Sequence, residues 1–97
     1  MLMSFLPQLR AFLKSRGVIY TVRKYRLPDG DVEVLDVGKC RRTFVGVVTK
    51  DDLAPYVGDS GFYSVESWWQ KIKFFVPGDD TLYLYKVEVD GRADLRS

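Results

Sequence analysis

The run Tyr20-Thr21-Val22-Arg23-Lys24-Tyr25-Arg26 interleaves cations with aromatic rings and a hydroxyl. On a strand, where successive side chains point to opposite faces, Thr21, Arg23 and Tyr25 share one face while Tyr20, Lys24 and Arg26 share the other. Such a surface grips phosphates with its cations and stacks bases on its rings. A strand with one solvated, salt-bridging face would show the same alternation. A second cationic group, Lys39, Arg41 and Arg42, flanks the single cysteine, Cys40, at an expected turn. The planar fork of Arg suits phosphate there. A thiol among cations also ionises more readily, which is the condition for a nucleophile, although a buried, incidental cysteine is the simpler reading. The third group is Ser60-Gly-Phe-Tyr-Ser-Val-Glu-Ser-Trp-Trp69. It reads as a loop and a capped helix start. Glu66 falls in the first turn, where the helix dipole favours a carboxylate. Trp68 and Trp69 cannot both face a core fully, so one of them is expected to border a cleft.

What is missing narrows the chemistry. The 97 residues contain no histidine, which removes Ser-His-Asp and Cys-His pairs, His-ligated zinc and an imidazole base near neutral pH. Any catalysis would run on Lys, Thr, Tyr, Cys or carboxylates. Neither a metal nor another cofactor is expected. One cysteine cannot form an internal disulfide, so a reducing cytoplasm is the expected setting. The apolar stretches are too short for a membrane span, and no charged segment precedes the first of them, so membrane and secreted readings fall away. The net charge of +2 conceals an asymmetry: residues 1–50 carry ten Lys/Arg against four acids, and residues 51–97 carry five against nine. Six cations and no acid lie between Arg10 and Arg26. A basic half of this kind suits a polyanionic partner.

These residues need elements to position them. At 46% hydrophobic and 14% aromatic, the composition is that of one small domain with one core. The domain is expected to occupy residues 1–97, with 1–3 and 92–97 frayed. Ser4 to Arg16 predicts a helix: Ser4 offers a cap, Pro7 fits the first turn and Gly17 stops it. Residues 18–27 and 32–37 predict a hairpin about the Leu27-Pro28-Asp29-Gly30-Asp31 turn. Gly38-Lys39 reads as a second turn before a strand from Thr43 to Lys50. Asp51 to Val57 suits a short helical turn, and Gly58 to Gly61 a loop. Ser64 then caps a helix over 65–76, with Val65, Trp68, Ile72 and Phe75 as its apolar stripe. Pro77 to Asp80 ends that helix. Leu82 to Asp90 alternates as a strand with one face on the core. The order points to an α+β fold, a small, partly closed β-barrel with flanking helices and a mixed, mainly antiparallel sheet.

Taken in order, Thr21-Val-Arg23, Gly30-Asp31, the strand Phe44-Val-Gly-Val-Val48, Ser60-Gly-Phe-x-Ser-Val-Glu-x-Trp68 and the final Leu-Tyr-Leu-Tyr-x-Val-Glu strand resemble the small, single-domain ASCH domains of the PUA-like superfamily. The likeness runs over residues 12–90. It implies a β-barrel crossed by a helix, with a cleft between the first strand and the helix after the loop. Relatives of this type bind RNA or modified bases there, and some small members are amidohydrolases acting on acylated cytidine. The residues that match those enzymes are Thr21, Arg23 and Glu66. Their motif lysine, three residues before the threonine, is Val18 here; Lys24 and Lys39 are the nearby substitutes, and neither stands at the motif position.

The resulting expectation is an RNA-binding or modified-base-binding module. Arg23, Lys24, Arg26, Lys39, Arg41 and Arg42 would meet phosphates. Tyr25, Trp69 or Tyr63 would stack on bases, while Thr21 and Glu66 would bond a base edge. The alternative is the small amidohydrolase, with Thr21 and Glu66 as its catalytic residues.

Overall fold

Pro7 decides where the first helix begins. In the computed structural model, which describes residues 2–78 and 81–90, α1 spans Pro7–Arg16 with Leu6 in the capping position and no side-chain cap. Proline loses nothing at the first helical position, since its missing N–H would have been unpaired anyway. The expected cap at Ser4 is therefore not used. Gly17 does stop the helix, at φ 83°, with its N–H donating to the Leu13 carbonyl, a left-handed turn that a residue with a Cβ adopts reluctantly.

The strands are β1 (Leu2–Met3), β2 (Val18–Arg23), β3 (Gly30–Val34), β4 (Gly38–Val48) and β5 (Leu82–Val89). They form one sheet in the order β1-β3-β4-β5-β2. Only β1–β3 is parallel; the other pairings are antiparallel. The sheet curls into a half-barrel with β1 and β2 at its two edges. The α+β, mixed and mainly antiparallel expectation holds at that level. The hairpin expected between 18–27 and 32–37 does not form: β2 pairs with β5 and β3 with β4, because the chain over 24–29 crosses as a strap instead of turning back. Several boundaries also differ. Leu2 and Met3, expected to fray, add a short strand to β3, and Met3 is buried. The turn expected at Gly38-Lys39 falls earlier, at 35–37 with Asp36 at φ 66°, and β4 runs unbroken from Gly38. The strand expected over 18–27 ends at Arg23, leaving 24–29 as a strap. Asp79, Asp80 and the tail from Arg92 lie outside the described residues.

The helical excursion is a 3-10 segment, Lys50–Asp59, opened by Thr49 and Asp52 bonding each other's backbone. α2 spans Val65–Phe75, and Ser64 caps it as expected, its hydroxyl accepting from the Ser67 N–H at 3.1 Å. Its buried phase differs from the expected stripe. Trp68, Ile72 and Val76 face the core, whereas Phe75 is 58% exposed.

Strand β5 was expected to bury one face. It buries both. Val87 packs with α1, Tyr85 on the same face reaches the chain at Tyr25 and Leu27, and Leu82 and Leu84 point toward α2 and the 3-10 segment. Two apolar clusters result. One joins Met3, Phe5 and Leu13 to Ile19, Val32, Val34 and Val87, and the other joins Leu53, Trp68, Ile72 and Val76 to Val48, Leu82 and Leu84. The loop at Gly61 links the two sides. Gly61 has φ 86°, and a Cβ there would stand 2.6 Å from the Leu9 Cδ2 and 3.8 Å from the Ile19 Cδ1.

Gly61→Ala should therefore destabilise the fold by about 1–3 kcal/mol, from left-handed strain plus displacement of Leu9. Gly58→Ala is the control, because a Cβ at Gly58 meets nothing within 4 Å. Denaturant midpoints compare them; equal midpoints for the two variants would contradict this view of the loop.

Candidate functional site

Strand β2 ends the sheet, so among the described residues no strand pairs with its outer side. The Val89 N–H donates to the Gly17 carbonyl at 2.9 Å. Counting by twos from that bond, the backbone groups of Ile19, Thr21 and Arg23 face β5, and those of Tyr20 and Val22 face outward. Along the last residues of this edge lies a hollow of about 630 Å³. Its walls are the start of α1, the run from Thr21 to Tyr25, and α2. The floor is apolar, made by Phe5, Trp68, Ile72 and Val76, with the buried Thr21 as its polar point. The rim carries Arg23, Lys24 and Lys71, and among the described residues no Asp or Glu lines the hollow.

Arg23 is the electrostatic centre of this site. Its Nη2 donates to the Ser4 carbonyl at 2.8 Å, and its guanidinium lies 4.8 Å from the centroid of the Phe5 ring. The buried Nε–H finds no partner among the described residues. Burial, and secondarily the Arg42 charge, pulls the Arg23 pKa down to about 10, with Tyr85 acting in the opposite direction. The group remains cationic at neutral pH, but as a desolvated cation with an unused donor.

A strap holds the outer wall. The buried Tyr85 hydroxyl accepts from the Leu27 N–H at 2.5 Å and donates to the Tyr25 carbonyl at 2.9 Å. Arg42, only 2% exposed, donates to the Pro28 carbonyl through Nε at 3.1 Å and Nη2 at 2.8 Å. Asp29 accepts from the Phe44 N–H at 2.8 Å, and the Arg26 guanidinium lies 3.9 Å from the Phe44 ring centroid. These bonds set Lys24, Tyr25 and Leu27 against the hollow.

The structure thus brings together Thr21, Arg23, Lys24 and Tyr25 and separates the rest. Arg42 is engaged by the strap and buried. Arg26 stacks on Phe44, away from the hollow. Lys39 and Arg41 lie on the outward face of β4, within 4.0 Å of Asp31, and Lys39 also reaches Asp90 at 3.8 Å. Glu66 sits on the first turn of α2, 2.6 Å from the Lys50 ammonium. Trp69 packs half-buried on the second cluster with the Lys73 ammonium 5.5 Å from its ring centroid. Neither Glu66 nor Trp69 lines the hollow, so Thr21 and Glu66 do not form a paired site. Cys40 is buried; burial first, and then Glu33 and Asp90, push its thiol pKa up, which opposes a thiolate nucleophile. Among the described residues no cluster of His, Cys, Asp or Glu fits a metal, and no described helix is long and apolar enough to cross a membrane.

Lys71 and Phe75 were missed as site residues. Their signal was present: with Trp68 and Ile72 they recur at helical spacing and share one side of α2. Reading Phe75 as core concealed it.

Tyr85→Phe removes the two bonds that Tyr85 makes to the strap while keeping the ring and the Arg42 and Asp29 bonds. It should cost about 1–3 kcal/mol, since the Leu27 N–H and Tyr25 carbonyl lose their partner, and should speed hydrogen exchange at the Leu27 amide. Unchanged unfolding midpoints together with unchanged Leu27 protection would show that the strap is held otherwise.

Comparison of the chain with protein-family models, curated proteins and solved structures finds no match.

Proposed function

We propose that this chain is a binding module that takes a nucleotide of single-stranded RNA into the hollow at the edge of β2. The observation that carries the reading is Arg23: a desolvated guanidinium whose Nε–H has no partner among the described residues, beside two lysines, in a hollow that no described carboxylate lines. An anion settling there regains for Arg23 the charge compensation that burial removed. Phosphate, with its several acceptor oxygens, suits Arg23, Lys24 and Lys71 together. The base would lie among the Tyr25, Phe62 and Phe75 rings, with the Thr21 hydroxyl bonding its edge.

Membership of the PUA-like superfamily and a cytoplasmic setting belong to the same proposal; the half-barrel and the ordered motifs around Thr21-Val-Arg23 and Ser60-Gly-Phe support it. Arg26, Lys39 and Arg41 contribute long-range field rather than contact. Hydrolysis of acylated cytidine has less support, because Glu66 lies outside the hollow and Val18 stands where those enzymes carry lysine.

Fluorescence anisotropy with labelled oligouridylate tests this. With Arg23, Lys24 and Lys71 on phosphates, log affinity should fall against log salt with a slope of about −2. Lys24→Gln and Lys71→Gln should each make the slope shallower by about 0.7. No binding at low salt, or affinity indifferent to salt, would reject the reading.

A further inference from the structure

We infer that Phe74 is a second stacking platform, so that the ligand is a chain of nucleotides rather than a lone nucleoside. The inference rests on the reading of the hollow as an RNA site and extends it beyond the hollow's own lining. Among the described residues Phe74 is 73% exposed on the last turns of α2, and with the exposed Phe75 it makes a contiguous apolar patch of the kind that marks a binding surface. Its neighbour Phe75 lines the hollow, and the two rings meet at right angles with centroids 5.1 Å apart. Lys71 serves both places: it lines the hollow, and its ammonium lies 5.5 Å from the Phe74 ring centroid. A cation and two rings thus lead without interruption from the hollow onto the outer surface of α2.

Two features select the occupant. Lys71 stands one turn before the ring with its ammonium beside it, while Lys73 turns to Trp69 and the Gly78 carbonyl; Glu66 is the only acidic residue on α2, at its far end, so the patch complements an anion. Bases stack readily on exposed rings with their phosphates on adjacent cations. A bilayer is a poorer fit, because an interfacial helix needs its apolar face outward, whereas Trp68, Ile72 and Val76 turn that face of α2 into the core.

Calorimetry at low salt with uridine 5′-monophosphate and with a short oligouridylate decides the matter. Phe74→Ala should leave mononucleotide affinity unchanged and weaken the oligonucleotide by about five- to a hundredfold. Phe74→Trp should retain oligonucleotide affinity, and melting curves of both variants should match the unmodified protein. Oligonucleotide affinity unaltered by Phe74→Ala would overturn the platform while leaving the hollow's role intact. Loss of binding to anionic phosphatidylserine vesicles in Phe74→Ala, with RNA affinity unaltered, would reassign the surface to lipid and overturn it too. Failure of the unmodified protein to bind either nucleotide ligand would remove both the platform and the reading beneath it.

Discussion

An edge strand must do something with the backbone groups that face away from its sheet. In this half-barrel the constraint falls on β2, whose outer side meets no strand among the described residues. Near the start of the strand the chain meets it by crowding: α1 packs on one side, and the loop at Gly61 approaches Leu9, Phe12 and Ile19 closely enough that a side chain at 61 would collide. Toward the end of β2 the cover separates. The start of α1 stays on one side and α2 on the other, and the strap over 24–29 draws the chain aside. The hollow is the gap that these choices leave.

The gap then sets the electrostatics. Arg23 lies partly under Phe5 and close to Arg42, with a carbonyl rather than a carboxylate as its partner. Most cations elsewhere on the surface are paired: Arg16 with Asp59, Lys50 with Glu66, Lys39 and Arg41 with Asp31. Exposed pairs of this kind contribute little stability, but they satisfy the charge locally. Basic residues that look alike in the sequence are therefore physically unlike. Those on the outside of β4 are neutralised where they stand, Arg42 is a structural donor inside the fold, and the Arg23 group faces a cavity that no acid among the described residues lines.

Much of the architecture was legible because local chemistry agrees with tertiary packing. Ser64 caps α2, Gly17 ends α1, and the alternation of Leu82 to Val89 marks a strand. Boundaries failed where a longer-range contact decided. Met3 is a strand residue because Val34 lies beside it, and β4 begins at Gly38 because Asp36 accepts a left-handed turn. At the site, strand alternation correctly grouped Thr21, Arg23 and Tyr25. It could not show that Lys24 would reach the same hollow, since that depends on the chain bending after Arg23. Alternation along β4 does separate Arg41, facing out, from Arg42, facing in, but reading a turn at Gly38-Lys39 with the strand starting only at Thr43 left both outside any strand. Cationic character is visible in composition; whether a cation has a partner is a property of the fold.

The central claim is that ligand settles against the outer edge of β2. Two-dimensional NMR of the labelled protein during addition of oligouridylate tests it most directly, following backbone amides together with the Arg23 Nε–H. The account predicts the largest shifts at Val22 to Tyr25, at Lys71 and Phe75, and at the Arg23 Nε–H as it gains an acceptor. Shifts confined to Lys39 and Arg41 on the outer face of β4, with the Arg23 signal unmoved, would contradict it.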